Sequence, residues 1–278
     1  MAALKKLSLA CALVFASSVS YADDHIEPVD APDPGDHTKV STVMSATYGK
    51  QSLGENDNDF IQFLGQASGS KANGNLFLGQ LTLEAQENKG TANPFASEDL
   101  KMSKLRARYF EVSHTNWENA PMMGISLDYI ETSFAEDPIS DRLFAVGGLV
   151  RMTTPFKNWL SFPILAVAVG QNNGDYADVG VVDDYAYGFQ FNFLNSIYLS
   201  ENGTHIQFNP QFSSIEMGGM LGTVNTLQLD TAFQMPLSEN RKHWGKLTYT
   251  EYFDNTGDSG FGHNKNNTEL KFTYSYYL

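Results

Sequence analysis

The chain ends with the stretch Thr268-Glu-Leu-Lys-Phe-Thr-Tyr-Ser-Tyr-Tyr-Leu278, in which apolar and polar side chains alternate. The apolar set is Leu270, Phe272, Tyr274, Tyr276 and Leu278, and the polar set between them is Glu269, Lys271, Thr273 and Ser275. Successive side chains of a β-strand point to opposite faces, so the pattern predicts a strand between an apolar and a polar medium. About ten residues also suffice to cross a bilayer as a tilted strand.

Alternating segments of this kind recur from Lys39 onward, and no helical period persists anywhere in that region. The segments predict about twelve strands, with ten as the fallback count. Their expected positions are 40–49, 59–68, 75–87, 101–114, 122–133, 142–152, 159–170, 184–194, 204–213, 223–235, 244–254 and 268–278. We therefore predict an all-β chain whose strands form a closed antiparallel transmembrane β-barrel.

A soluble β-sandwich would also alternate, so the composition of the two faces has to discriminate between the architectures. In 185–193, five aromatic residues occupy one face, while Gln190 and Asn192 lie on the other. Two amides are difficult to place in a dry core, but they suit a wet lumen behind a lipid-facing wall. The mean hydropathy of −0.29 is compatible with this reading, because barrel strands average lipid-facing and water-facing residues.

The N-terminus predicts export. Lys5 and Lys6 precede an apolar run that ends in a small-residue site at Ala22, which is typical of a secretory signal. We expect three parts: a signal peptide (1–22), a disordered periplasmic segment (23–38) with six acids and three prolines, and the barrel (39–278).

Composition excludes several classes of function. The net charge is −14, and removal of the two signal lysines makes it −16, which disfavours nucleic acid as a partner. Cys11 is the only cysteine and would leave with the signal, so we expect no disulfide and no thiol chemistry in the mature chain. No dinucleotide fingerprint, phosphate loop or HExxH motif is present, and we expect no cofactor and no metal.

The alternating C-terminal strand and the export signal resemble those of Gram-negative outer-membrane β-barrel proteins. The resemblance implies residence in the bacterial outer membrane, contact with lipid and lipopolysaccharide, and recognition of the last strand by the barrel-assembly machinery. The family usually closes on an aromatic residue, and Leu278 departs from that pattern. For a barrel of this size the resemblance implies a passive, porin-like channel for small solutes. A structural, adhesive or solitary autotransporter-type barrel is the alternative, and the oligomeric state stays open.

Several charged residues are expected to face the lumen. In 101–114, the strand parity that sends Leu105 and Tyr109 outward sends a row of three cations inward. The full set of lumen or constriction candidates is Glu84, Lys104, Arg106, Arg108, Asp128, Asp230, Lys246 and Lys271. These charges would either form a transverse field across a constriction or pair with one another and fill the lumen. Phe110 and Val112 predict partial occlusion near the inner end.

An enzymatic function is disfavoured by spacing. A His and Ser dyad on one strand face needs a spacing of two, and Ser113 and His114 are adjacent, so they point to opposite faces. The acidic loops 171–184 and 254–263 match no calcium-binding spacing and are expected to be flexible.

Two prolines and two tryptophans carry further expectations. Pro163 and Pro210 fall inside predicted strands, so we expect a bulge or a strand end at each, unless one of the two strands is wrongly assigned. Trp159 and Trp244 each begin a strand at the inner side, where we expect them to lie at the lipid interface.

Overall fold

The computed structural model describes residues 32–36, 41–53, 56–87, 100–135, 138–257 and 267–278. This part of the chain contains twelve β-strands, one for each of the twelve segments predicted from the sequence. Their bounds are β1 Thr42–Leu53, β2 Asn56–Ser70, β3 Leu76–Gln86, β4 Lys101–Trp117, β5 Ala120–Glu131, β6 Ser140–Arg151, β7 Trp159–Asn172, β8 Tyr185–Tyr198, β9 His205–Glu216, β10 Thr223–Pro236, β11 His243–Gly257 and β12 Asn267–Tyr277.

The strands form a closed antiparallel barrel in which each strand pairs with the strands that precede and follow it in sequence, and the first strand pairs with the last. The barrel closes where β1 pairs with β12, over a register that runs from Val43↔Tyr277 to Ser52↔Thr268. Closure is physically required, because an open edge would leave unpaired backbone donors and acceptors in lipid. The prediction of a closed barrel is confirmed, with twelve strands rather than ten.

The outer and inner faces differ in the way that the sequence alternation predicts. On the outside, Val167 is 68% exposed and Tyr185 is 71% exposed, although both are large apolar side chains. Their inward neighbours Ala168 and Ala186 are each only 2% exposed. The C-terminal strand follows the same rule, with Leu270 and Phe272 exposed and the polar residues between them directed inward. An apolar surface of this extent around a whole barrel is stable only against lipid.

The two prolines interrupt hydrogen-bonded ladders without ending their strands. Pairing of β6 with β7 stops at Leu149↔Ile164 and resumes as a single bridge beyond Pro163. Pairing of β8 with β9 stops at Asn192↔Gln211, next to Pro210, and resumes four residues further along β8. Each strand keeps its ladder on the other side. The register is the same on both sides of each gap and both strands continue, so the prediction of a bulge or a strand end is wrong. Each proline instead leaves a gap in the ladder on one side of its strand.

Asn195 occupies the gap that Pro210 leaves between β8 and β9. Its Nδ2 donates to the carbonyl oxygens of Phe208 (2.9 Å) and Phe193 (3.0 Å). Its backbone N–H donates to Asn209 Oδ1 at 2.8 Å. Side-chain hydrogen bonds thus replace the ladder where proline has no N–H to offer.

The connection after β7 is packed rather than extended into solvent. It contains a short helix α1 (Gly174–Asp178), capped by the Asn173 side chain, which accepts from the Asp175 N–H. Val182 then packs with Ala186, Met217 and Leu221 in a small apolar cluster. The prediction of a flexible loop at 171–184 is wrong, because this cluster fixes it to the connection between β9 and β10; the loop 254–263 lies largely outside the described residues. None of the described helices is long and apolar enough to cross a membrane.

Trp244 faces the barrel interior, so the prediction that it lies at the lipid interface is wrong. Its side chain is wholly buried, packs with Val43 and Tyr277, and donates from Nε1 to the Arg241 carbonyl. Trp159 does lie on the outward face of β7, and its Nε1 donates to Asn195 Oδ1 at 3.1 Å.

Residues 32–36, which belong to the segment predicted to be disordered, form a turn at the inner end of the barrel. Tyr198 donates a hydrogen bond of 2.7 Å from its hydroxyl to Asp33 Oδ1, which also accepts from the Gly35 N–H. A Cβ at Gly35 would lie 2.6 Å from the Tyr198 hydroxyl, so glycine permits this close approach.

Candidate functional site

The barrel encloses a cavity of about 460 Å³ that is lined by residues from all twelve strands. Asp33, Pro34 and Asp36 of the turn line its inner end. A volume of this size lies within the range of small-molecule sites. The lumen is therefore neither wholly filled by side chains nor a wide pore. This is expected for twelve strands, a number between those of filled eight-stranded barrels and open sixteen-stranded ones.

All eight lumen candidates from the sequence line this one cavity, and the structure brings them together in groups: Glu84, Lys104, Arg106, Arg108, Asp128, Asp230, Lys246 and Lys271. Arg106 binds Asp128 through two hydrogen bonds, one of them from Nε to Oδ1 at 2.9 Å. Arg108 Nε lies 3.4 Å from the other oxygen of the same carboxylate. One carboxylate on β5 thus serves two arginines on β4, and the group keeps one net positive charge.

Two further ion pairs lie on the lumen wall. Lys104 Nζ lies 3.0 Å from Glu84 Oε2, and the same oxygen accepts from Gln62 at 2.6 Å. Lys271 Nζ donates to Glu269 Oε2 at 2.8 Å. Such pairs hold their side chains against the wall and leave the centre of the lumen open.

Asp230 and Lys246 lie on the wall opposite the arginines. Strand β10 is six strands away from β4 in either direction around the barrel, so the two are diametrically opposed. Asp230 Oδ1 accepts from Thr250 (2.6 Å) and Gln228 (2.9 Å), which are uncharged donors. Within the described residues, Lys246 has no carboxylate at ion-pair distance. Among the described residues, acids and bases therefore alternate around the lumen.

An apolar sector occupies part of the wall toward the inner end. Leu149, Phe162 and Ile164 form a buried cluster against which Phe110 and Val112 pack. These five side chains project into the lumen and narrow it on the side of β4, β6 and β7. The partial occlusion predicted from Phe110 and Val112 is present, but most of the cluster comes from β6 and β7, which the sequence reading did not single out.

Amides form another part of the wall. Gln190 and Asn192 of β8 line the cavity as their sequence parity suggested, and Gln211 of β9 pairs directly with Asn192. In the part of the chain that the structure describes, the side chains of these three residues make no hydrogen bond with protein. Gln211 was not identified from the sequence, although the alternation of side chains along β9 is sufficient to place it in the lumen.

Ser113 and His114 point to opposite sides of β4, as expected from their adjacency. Ser113 is paired with the outward Met123, and its hydroxyl donates to Asn75 Oδ1 at 2.9 Å. His114 is paired with the inward, buried Met122. The two side chains therefore cannot act on one substrate as a dyad.

A closed twelve-stranded barrel with an apolar exterior and a polar lumen defines the chain as an outer-membrane β-barrel protein, and its localisation is the bacterial outer membrane. Among solved structures, the chain is similar to the COG4313 outer membrane channel from Pseudomonas putida F1. The TM-score is 0.64 at 10% sequence identity, over 89% of this chain and all of that one. At this identity the likeness shows the fold alone.

Two other likenesses are more distant. The outer membrane phospholipase of Salmonella typhi gives a TM-score of 0.49 at 11% identity, over 84% of this chain and 90% of that one. The β-domain of the Bordetella autotransporter BrkA gives 0.45 at 10% identity, over 86% and 99%. Neither value is high enough to carry an argument about function. No protein-family model and no curated protein matches the chain.

Proposed function

We propose that this protein is a passive channel through which small hydrophilic solutes diffuse across the outer membrane. The observation that carries the proposal is the lumen cavity of about 460 Å³, which is lined by all twelve strands. Diffusion down a concentration gradient needs neither cofactor nor catalytic group. The residues in the lumen have to keep it wet and to set which solutes enter.

The wall chemistry supports selective passage of small polar solutes. Ion pairs such as Lys104 with Glu84 keep charged groups fixed on the wall, where they offer hydrogen bonds without closing the lumen. The hydroxyls of Thr47 and Thr273 share a hydrogen bond of 2.8 Å on the side opposite the apolar cluster. A solute would thus meet a polar surface over most of the circumference.

Planar-bilayer recording of the purified full-length barrel tests the proposal. We expect discrete conductance steps in potassium chloride, small because the cavity is narrow. Absence of steps in a preparation that is folded, as shown by heat-modifiable mobility on gels, would contradict the proposal. The second candidate, a structural barrel, would then stand, and the paired charges of Arg106 and Asp128 would serve stability alone.

Neutralisation of the arginines tests whether they belong to a filter. Arg108→Gln removes the less well paired of the two cations, and we expect the reversal potential in a salt gradient to shift toward cation preference. Lys71→Gln is the matched control, because Lys71 lies in the turn between β2 and β3, pairs with Glu111 of β4 and does not line the lumen. Equal reversal potentials for Arg108→Gln and the unchanged protein would remove Arg108 from any filter.

The proposal includes the division of the chain made from the sequence. Residues 1–22 would act as the export signal, 23–38 would lie in the periplasm, and 39–278 would form the membrane barrel. Mass spectrometry of protein extracted from outer membranes should give a mature chain that begins at Asp23. Lipopolysaccharide and the barrel-assembly machinery are proposed partners, and the last strand is the segment that the machinery would recognise.

A further inference from the structure

The geometry of the lumen points to a binding site for a hydroxylated carboxylate, that is, a small sugar acid, between Arg108, Lys246 and the amides of β8 and β9. The inference deepens the proposed function and rests on it for the route by which the solute reaches the site. It is carried by three features of one cavity wall: a buried Arg108 Nε without a hydrogen bond, the Lys246 ammonium, and amides that make no hydrogen bond with the described residues.

Arg108 supplies the first half of the anion site. Its Nε is buried and has no hydrogen-bond acceptor among the described residues. The nearest carboxylate, Asp128, already accepts two hydrogen bonds from Arg106 and lies 3.4 Å from Arg108 Nε. A buried guanidinium donor without an acceptor is costly, and a ligand carboxylate would satisfy it with a charge-assisted hydrogen bond.

Lys246 supplies the second half. Its ammonium lines the same cavity, and no described carboxylate lies at ion-pair distance. Asp230 acts electrostatically on both Lys246 and Arg108, so it limits the excess positive charge without binding either cation directly. Its Oδ1 is occupied by Thr250 and Gln228.

The register of the barrel places these groups at one level. Hydrogen-bonded rows slant around a barrel, and the slant follows from the pairing of each strand with the next. When the paired residues are followed from strand to strand around the barrel and the slant of the rows is subtracted, residues on different strands can be compared by their level along the barrel axis. At the level of Arg108, Asp230 lies on the opposite wall, and Lys246 and Asn192 lie within about two residues of that level. The cations and the amides thus surround one part of the lumen.

The amides determine which carboxylate fits. Gln190, Asn192 and Gln211 each present both a donor and an acceptor to the cavity, and none of them is engaged by another described side chain. A hydroxyl group also donates and accepts, so it pairs with an amide without leaving either group unsatisfied. An aliphatic carboxylate would satisfy the cations and leave the amides unpaired, which predicts weaker binding.

The test uses gluconate as the probe, with glucose and propionate as comparison solutes. We expect gluconate to block the chloride-salt current of the open channel at millimolar concentration. Glucose lacks the charge and propionate lacks the hydroxyls, so each should need about a tenfold higher concentration for half block. Equal potency of propionate and gluconate would overturn the assignment of the amides.

Two lumen variants and one control locate the site. Lys246→Gln and Arg108→Gln should each raise the half-blocking concentration of gluconate about tenfold. Lys71→Gln removes the same charge outside the lumen and should leave the value within about twofold. If Arg108→Gln fails to fold, Lys246→Gln alone carries the test, because Lys246 forms no ion pair or hydrogen bond with the part of the chain that the structure describes. Unchanged block in Lys246→Gln would overturn the site.

Titration calorimetry of gluconate into the purified barrel separates this inference from the proposed function. Binding that Lys246→Gln weakens, in a protein without conductance, supports the site and contradicts the channel. Conductance without gluconate block and without calorimetric binding overturns the site and leaves the channel standing.

Discussion

At the scale of single residues, the carboxylate of Asp128 contacts two cations in the lumen. It accepts from Arg106 and lies close to Arg108, so two cations depend on one carboxylate. Asp128→Asn should destabilise the barrel by about 1–3 kcal/mol, because two guanidinium groups lose their only described carboxylate partner. The arginines border a wet lumen, so the loss is smaller than for a dry buried pair.

Urea unfolding in lipid vesicles measures this change. Glu111→Gln is the matched control, because Glu111 also pairs with a cation, Lys71, but lies on the outward face of β4 and not in the lumen. We expect the control to lose less than about 1 kcal/mol. The Asp128→Asn channel should also become more anion-selective. If the two variants unfold at the same urea concentration, Asp128 does not hold the arginines as described.

Trp244 is the largest of the fully buried side chains, and it anchors the inner end of the barrel. Trp244→Ala should cost about 3–5 kcal/mol, because it opens a cavity among Val43, Tyr277 and the buried His205. Trp117→Ala is the control, since Trp117 is 67% exposed at the end of β4. The midpoint of urea unfolding should fall more than twice as far for Trp244→Ala. Equal falls would show that burial at this site contributes little.

At the scale of elements, the side chain of Asn195 replaces part of the ladder between β8 and β9. Besides its two donated bonds, it accepts at Oδ1 from Ser161 (2.9 Å) and Trp159 (3.1 Å) of β7. Asn195→Ala removes all four bonds and leaves buried groups unsatisfied, for an expected loss of about 3 kcal/mol. The β8–β9 backbone should then exchange amide hydrogens faster near Phe208.

The control for this variant lies on the same strand. Asn192→Ala removes a buried amide that makes no hydrogen bond with the described protein, so it should change stability by less than about 1 kcal/mol. Hydrogen exchange by mass spectrometry distinguishes the two. Unchanged exchange around Phe208 in Asn195→Ala would mean that the ladder there does not depend on this side chain.

The C-terminal strand is the segment that we propose the barrel-assembly machinery recognises. Leu278 is 67% exposed and donates its N–H to the Thr42 carbonyl at 3.0 Å, so its side chain has little effect on stability. Leu278→Phe should leave the urea midpoint unchanged and should speed insertion into vesicles that contain the barrel-assembly machinery, since the family usually ends on an aromatic residue. Equal insertion rates with and without the substitution would show that Leu278 already serves as the signal.

Side chains along a β-strand alternate between the two faces with a period of two residues, which explains why the sequence predicts so much of this fold. This period predicts each strand and sends Arg106 and Lys246 to the same side as the structure does, because parity is local. Trp244 is two residues from Lys246, so the same alternation directs both side chains to the barrel interior. The expectation that Trp244 lies at the lipid interface did not take this alternation into account. Pairings such as Asn195 with Phe208 depend on register between strands and on a ladder gap, which parity alone does not define.

At the scale of the whole molecule, the charges of the lumen nearly balance. Six carboxylates and five cations among the described residues line the cavity: Asp33, Asp36, Glu84, Asp128, Asp230 and Glu269 against Lys104, Arg106, Arg108, Lys246 and Lys271. Two of the carboxylates, Asp33 and Asp36, belong to the turn at the inner end rather than to the barrel wall. The strand-borne charges alone therefore leave one net positive charge, and the turn reverses its sign.

This balance predicts that the inner turn sets the ion preference of the channel. In the double variant Asp33→Asn and Asp36→Asn, the cavity changes from one net negative to one net positive charge, so the reversal potential in a potassium chloride gradient should move toward anion preference. The effect should be larger at 0.1 M than at 1 M salt, because the screening length falls from about 10 Å to about 3 Å. Glu118→Gln with Glu239→Gln is the matched control, since both acids are exposed at inner turns and neither lines the cavity. If both double variants shift the potential equally, the preference arises from the charge of the inner surface as a whole and not from the turn.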